Sequence, residues 1–531
     1  MIREQVINKF RLYVEYASNV LALSFLCSFV YDASYNFSLG CLFLSLCLVI
    51  LLRHPCKNVP WWQAYFFGMG VLFFQGSIIW ALNTFPLDDF RSVVLTLQTP
   101  LDGFVLPFVF DYLLKIILVG SILIFLSLHF FKTCIGKLSI KGIFVLFYAL
   151  ILWNALFLYA KIPLEEYWNY FWNKDLKVFL HESTFWQRNY SDVDSLKISG
   201  GGRNLILIIM ESMENWPDGL TPEIERMAED NLSFSDIEPF GGGTHIAGAE
   251  NTYCSTVSKT TGVPVLRRYK YPGMDLIGVK GLYDVLHDFG YRNVFLQGTD
   301  ANFSGLNSFM EHHGIDALYD MNNLKDEWDM DSFFRNFRTF SAGITDRRLY
   351  DISKKVLDTL SNGKFSLTIA TIETHFPYGF YDKNCLEKPE SFSEKSKFKA
   401  TLQCASRQVY EFVNWVKKQS FFENTQIVIV GDHLFMGDFF VENRKRRWVD
   451  IFVNAAVPSP QKNRRFTSID MAPTILEGMG FQIEGHKMGL GTSLFSDSLT
   501  LYEKMGWMKL NSELIKLENS VEYNQQYWKK K

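Results

Sequence analysis

Glu211, His375 and the adjacent pair Asp432 and His433 lie far apart in the chain, yet each comes shortly after a run of aliphatic residues. Together they form a set of carboxylate and imidazole donors, which suits a hard or borderline divalent cation: Mg²⁺, Mn²⁺ or Zn²⁺. The stretch "QIVIVGDHLFM" shows the reasoning best. It is dry enough for the middle of a sheet until it meets a carboxylate beside an imidazole, and burying that pair without partners is costly. The pair therefore belongs at the exit of a strand, facing a site. Taken singly, a carboxylate after a strand more often caps a helix or sits in a turn. The convergence of several such residues carries the reading, and no HExxH motif or cysteine cluster competes for it. A nucleophile is still needed, and "FGGGTHIAGAENTYCSTVSKTTGVPV" offers several hydroxyls after a glycine-rich loop. A Ser or Thr at a helix start can meet a metal while backbone N–H groups receive a phosphate. The plainer alternative is that the hydroxyls cap a helix and the glycines bend a loop. Residue chemistry alone leaves Thr244, Thr252, Ser255 and Thr256 open.

The elements that must position these residues are strands alternating with amphipathic helices. "NLILIIM" precedes "TPEIERMAED", and "GLYDVLHDF" precedes "YRNVFLQG". "FSLTIATI" comes before "ASRQVYEFVNWVKKQ", which "TQIVIVG" follows. Continuous apolar runs separated by helices predict a mostly parallel sheet covered on both faces. Ligands in such sheets bind beyond the carboxyl ends of the strands. Glu211, Gln297 with Asp300, Glu373 with His375, and Asp432 with His433 all follow strand ends, and so are expected on one rim.

The first third of the chain differs in kind. Of 531 residues, 16% are aromatic and 48 are Phe, and apolar runs such as "FSLGCLFLSLCLVILL" and "LLKIILVGSILIFLSLHFF" crowd the first 160 positions. Several approach the roughly 20 residues that cross a bilayer as a helix. Arg3, Lys9 and Arg11, then Arg53 and Lys57, then Lys132, Lys137 and Lys141 flank alternate runs, so about five spans place the chain from about Lys161 onward outside the cell. The expected organisation is a transmembrane helical domain over 1–160, a linker over 161–202 and an extracytoplasmic catalytic domain over 203–531. The 53 basic and 56 acidic residues nearly cancel, without the basic excess expected of a nucleic-acid binder. Cys385 and Cys404 bracket a polar, Lys-rich loop and can form a disulfide in an oxidising compartment.

At these residues the chain resembles the membrane-anchored phosphoglycerol transferases of the alkaline phosphatase/sulfatase superfamily, which include lipoteichoic acid synthases. Within them it is most similar to the phosphoglycerol transferase I group of Gram-negative bacteria, which modifies periplasmic glucans. "NLILIIMES", "VFLQGTDANFSGLNSFMEHHGID", "TIETHFPYGF", "IVIVGDHLFM", "SIDMAPTILEGMG" and "GLGTSLF" carry the likeness from about Asn204 to Phe495. The resemblance implies a sulfatase-like α/β fold and a metal held by Glu211, Thr252, Asp432 and His433. It implies that Thr252 is the nucleophile and that His375 binds the substrate phosphate. Thr252 follows from counting back without gaps from "GVP" at Gly262–Pro264; "HIAG" after Thr244 imitates the same family segment upstream. A basic residue common in the family appears here as Leu306.

The implied activity moves phosphoglycerol from phosphatidylglycerol to a periplasmic glycan or other envelope acceptor, at the plasma membrane, with one divalent ion, Mn²⁺ or Mg²⁺ ahead of Zn²⁺. The covalent threonine intermediate belongs to the same implication. The alternative within the superfamily is a phosphoethanolamine transferase acting on lipid A or a glycan. A membrane transporter or a non-catalytic sensor is the alternative of another class. A transporter is expected to carry ionisable residues inside its spans, and these runs have almost none.

Overall fold

The computed structural model describes residues 180–528, apart from 238–240, 267–275, 303–304, 325–332, 337–340, 377–378, 438, 441–444 and 459–461. The apolar runs expected to span a membrane lie outside the described residues. Among the described residues no helix is long and apolar enough to cross one.

A seven-stranded sheet forms the centre. Its strands are β1 (Asn204–Met210), β2 (Gly242–Gly243), β3 (Arg292–Gln297), β4 (Ala317–Tyr319), β5 (Phe365–Ala370), β6 (Thr425–Gly431) and β7 (Trp448–Val453). They lie side by side in the order β2-β7-β6-β1-β5-β3-β4. β1 pairs in parallel with β5 and β6, and β3 pairs in parallel with β5 and β4. The other edge is antiparallel, with β7 reversed against β6 and β2 reversed against β7. The sheet is therefore mixed, parallel through its centre. β7 is hard to see in sequence because Asp450 interrupts its apolar run. That carboxylate is fully buried and accepts from Phe234 N at 2.8 Å and Ser233 Oγ at 3.2 Å.

The continuous apolar runs divide between two cores, because successive strand residues point to opposite faces. Leu205, Leu207 and Ile209 of β1 join Val428 and Val430 on one face. Helices α2 (Thr252–Thr261), α3 (Leu282–Asp288) and α6 (Met471–Gly478) cover them. Ile206, Ile208 and Met210 join Ile427 and Ile429 on the other face. There α1 (Pro222–Asp230), α4 (Asp346–Leu360) and α5 (Glu394–Val416) close the layer. Each such side chain contributes about 1.5–3 kcal/mol by leaving water, so β1 at the centre is anchored from both sides. A fixed β1 gives a fixed starting point for Glu211.

Part of the expected linker is folded. Thr184–Asn189 form a short helix that buries Phe185 and Trp186, and Trp186 meets Tyr523 edge-on at 5.9 Å. Ile198–Gly200 pair antiparallel with Phe481–Ile483. The aromatic residues of that stretch belong to the core and draw the chain onto the domain.

Cys385 and Cys404 are joined, across 19 positions of chain, with Cα atoms 5.8 Å apart. The bridge ties the loop after β5 to α5. Closing a loop of this length is worth about 3 kcal/mol through the unfolded chain. Reduction is thus expected to lower the melting temperature of this domain by several degrees, measured by calorimetry with and without dithiothreitol.

Candidate active site

Three strand ends supply the site. Glu211 follows β1, Asp432 and His433 follow β6, and His375 follows β5, all at the carboxyl side of the parallel strands. One donor atom from each of Glu211, Asp432 and His433 lies within 4.8 Å of the others, and all three residues are buried. His433 Nε2 stands 3.3 Å from Asp432 Oδ2 and 3.5 Å from Glu211 Oε1. Its Nδ1 donates to the Leu434 carbonyl at 2.8 Å. That bond fixes the tautomer and leaves the Nε2 lone pair facing the carboxylates, as a metal ligand requires.

Thr252 is the first residue of α2, and Asn251 caps the helix by accepting from Cys254 N at 3.0 Å. The Thr252 hydroxyl donates to Glu211 Oε2 at 3.0 Å and lies 3.4 Å from His433 Nε2. It therefore sits at the positive end of the helix dipole, where an alkoxide and an incoming phosphate are both favoured. The placement of α2 follows from Gly262, which ends it at φ 73°. A Cβ there would come within 2.5 Å of the Met488 carbonyl, so the chain must turn at this glycine.

The other hydroxyls have different partners. Ser255 Oγ donates to the Asp432 carbonyl. Thr256 is buried inside α2. Thr244 donates its backbone N–H to the Phe466 carbonyl at 2.9 Å, and among the described residues its buried hydroxyl has no hydrogen-bond partner. The preceding glycines are not a phosphate cradle. Gly242 and Gly243 form β2 against β7, and a Cβ on Gly243 would fall 1.9 Å from the Trp448 ring. Asp300 caps its own turn, accepting from Asn302 N at 2.8 Å. Glu373 is buried, accepting from Asp346 N at 3.1 Å. Among the described residues, neither carboxylate hydrogen-bonds to Glu211, Asp432 or His433. Leu306 is buried. His375 donates Nδ1 to the Phe376 carbonyl at 2.6 Å, and its charge acts on Glu211.

Several supporting residues gave little warning in the sequence. Ser212 N donates to Asp432 Oδ1 at 2.7 Å and its Oγ to Glu211 Oε1 at 2.7 Å, joining two strand ends. It does so at φ 48°, a strained conformation for a serine. Thr371 Oγ1 accepts from Glu211 N at 3.1 Å, and Thr374 Oγ1 donates to the Glu211 carbonyl. Lys259 is fully buried, one helical turn beyond Ser255. Its Nζ donates to the Asp432 carbonyl at 2.5 Å and lies 4.3 Å from the centre of the Trp448 ring. The only signal for it was a lysine inside a run of hydroxyl residues.

Charge is shared unevenly. Burial pushes Asp432 up to about 6, reinforced by the charge of Glu211. Burial also opposes ionisation of Glu211, but His375, His433 and the hydroxyls of Ser212 and Thr252 outweigh it and hold that carboxyl low. Burial alone would lower His433; Asp432 and Glu211 raise it above its ordinary range. In the absence of a cation Glu211 thus keeps its negative charge to low pH, while Asp432 takes up a proton as the pH falls through about 6.

Gly431 explains how β6 delivers its ligands. A Cβ there would sit 1.9 Å from the Met213 carbonyl, in the turn after Glu211. Gly431→Ala is expected to lower stability by about 1–3 kcal/mol through overpacking and to weaken metal binding with it, read by calorimetry and by titration with Mn²⁺.

Residues 203–481 match the Sulfatase family. Phosphoglycerol transferase I of Citrobacter koseri is 28% identical over 343 residues, which cover 60% of this chain and 42% of that protein. Phosphoglycerol transferase I of Escherichia coli O139:H28 is 28% identical over 316 residues, 55% of this chain and 39% of that protein. The chain thus spans about two fifths of the length of these curated relatives. The crystal structure of the lipoteichoic acid synthase LtaP from Listeria monocytogenes is 18% identical, with a TM-score of 0.46, covering 57% of this chain and 79% of that one. On the strength of its match over 203–481, more than half its length, this α/β chain belongs to the Sulfatase family.

Proposed function

We propose that this chain transfers phosphoglycerol from phosphatidylglycerol to a glycan or lipid acceptor of the cell envelope, through a covalent intermediate on Thr252. The observation that carries the reading is the Thr252 hydroxyl at a helix start, 3.0 Å from Glu211 and 3.4 Å from His433. The names of the curated relatives supply the substrate class.

The buried donors suit a divalent ion. Among the described residues, no group donates a well-formed hydrogen bond to the buried Asp432 Oδ2. Glu211 and His433 face the same point. Two oxygens and an imidazole fit Mn²⁺, Mg²⁺ or Zn²⁺, with Thr252 as a further ligand. Such an ion would lower the pKa of the threonine hydroxyl and neutralise phosphate charge. The remaining work belongs to the chain. Thr252 Oγ gives up its proton and bonds to phosphorus as the bond to the diacylglycerol oxygen breaks; that oxygen takes up a proton, so diacylglycerol leaves and a phosphoglycerol ester remains on the threonine. An acceptor hydroxyl then takes the phosphoglycerol and frees Thr252. His375 Nε2 holds the phosphate oxygens or receives the acceptor proton. The positive end of the α2 dipole supports the developing charge without needing to reorient.

The reading includes the organisation expected from sequence: spans within 1–160, and a catalytic domain outside the plasma membrane that meets a donor confined to the bilayer. The test is peptide mass spectrometry after incubating the full chain with Mn²⁺ and either phosphatidylglycerol or phosphatidylethanolamine. A phosphoglycerol adduct on Thr252 is expected. An ethanolamine-phosphate adduct would replace the donor, as Leu306 in place of a basic residue allows. An adduct on Thr244 would move the nucleophile.

A further inference from the structure

Among the described residues, half of the large hydrophobic side chains that face solvent lie in one stretch. Leu499, Trp507, Met508 and Ile515 are four of eight, and Met508 is 81% exposed. They lie on or just before two consecutive helices, α7 (Leu501–Met505) and α8 (Trp507–Leu517). The other side of α8 sends Leu510, Leu514 and Leu517 into the core, so the helix is apolar inside and partly apolar outside. Lys504, Lys509 and Lys516 are exposed between the apolar residues. Arg465 is exposed beside them, 5.6 Å from the Tyr502 ring. The nearby acids are already committed, Glu503 to Arg464 at 2.8 Å and Glu513 to Lys516 at 2.8 Å. Among the described residues, Lys504, Lys509 and Arg465 have no ion-pair partner.

This face is also joined to the nucleophile. Trp507 Nε1 donates to the His245 carbonyl at 2.6 Å, and Asn511 Oδ1 accepts from Ala247 N at 2.7 Å. The segment so held runs directly into Asn251 and Thr252. Trp, Met and Ile interleaved with uncompensated lysines match a lipid–water boundary. The apolar groups leave water there, indole favours the headgroup level, and cations meet anionic phosphates. A protein partner fits less well, because protein interfaces are depleted in lysine.

We propose that α8, with Leu499 and Lys504 before it, is the surface by which this domain rests on an anionic phospholipid membrane. Thr252 then meets headgroups at the bilayer surface without the donor leaving it. The inference rests on the lipid-donor reading above. It is tested on the full chain in phosphatidylglycerol nanodiscs, with benzoylphenylalanine placed at Met508 or at Asn362. Asn362 is an exposed control that precedes β5, at the opposite end of the strands. Photolysis is expected to attach lipid at position 508 and not at 362. Lys504→Glu with Lys509→Glu should lower the yield at 508 by about tenfold or more, since each cation near an anionic surface contributes about fivefold in affinity. Absence of lipid at 508, equal yields at both positions, or attachment to a second copy of the chain would each overturn the proposal. Labelling needs no turnover. An active chain with no lipid at 508 removes the membrane face alone, whereas lipid at 508 in a chain that transfers nothing removes the transferase reading alone.

Discussion

Thr252→Ala is expected to reduce diacylglycerol release from phosphatidylglycerol by about 10⁴-fold or more, the scale on which removing a covalent nucleophile acts. The geometry makes the claim specific to this residue. Its hydroxyl reaches Glu211 Oε2 at 3.0 Å from the first position of α2, where the helix dipole supports negative charge. Thr252→Ser keeps an oxygen in nearly the same place and should retain part of the rate. Thr244→Ala should stay within about threefold of the native rate, since Thr244 is tied to Phe466 through its backbone and its hydroxyl touches no ligand candidate. The measurement is turnover of fluorescent phosphatidylglycerol, with circular dichroism to show that each variant folds. Native-like turnover in Thr252→Ala would exclude the covalent route through this residue. Loss in Thr244→Ala with activity in Thr252→Ala would transfer the role upstream.

The nucleophile shows how far residue chemistry reaches. Hydroxyl types alone left four candidates, and only the anchor at Gly262 singled out Thr252. The fold shows what that anchor fixes. Gly262 must turn the chain beneath the Met488 carbonyl, so the length of α2 is set and its first residue lands opposite Glu211. The central strands were legible for a similar reason: burial on both faces forces unbroken aliphatic runs, and four such runs stand out in the chain. β7 was not, because Asp450 solves a local hydrogen-bonding problem that is invisible along the chain. The supporting residues were the least legible. Ser212, Thr371, Thr374 and Lys259 are common residue types with no motif, and their roles arise only when three strand ends meet. The glycine-rich loop left both of its readings open, since close packing of Gly243 on Trp448 gives the same sequence signature as a phosphate loop.

Asp432→Asn is expected to separate two effects that the native site combines. Without a cation, Glu211, Asp432 and His433 are buried together, with Asp432 raised from its ordinary 3.8 to about 6. A carboxyl raised in the folded state stabilises the fold fully below its unfolded value and loses that contribution as pH rises through 6. His433, also raised, acts in the same sense around and above its ordinary 6.5. Glu211 is held low and acts in the opposite sense, but only as pH falls below about its ordinary 4.5. In EDTA, therefore, the native chain should gain stability on acidification from pH 7.5 to 5. With Mn²⁺ present the slope should reverse over the same range, because protons on Asp432 and His433 compete with the ion. At an ion concentration of 100 times its dissociation constant, binding adds about 2.7 kcal/mol to stability. Asparagine keeps the Oδ1 that accepts from Ser212 and His433 backbone N–H groups, but it removes the charge. The variant should thus match or exceed the native melting temperature in EDTA at pH 7.5, gain nothing from Mn²⁺, and lose the Asp432 part of the acid stabilisation. A variant that melts far below the native protein in EDTA would mean that the carboxylate holds the fold together rather than a cation. A variant that still gains stability from Mn²⁺ would remove Asp432 from the ligand set and leave the metal elsewhere.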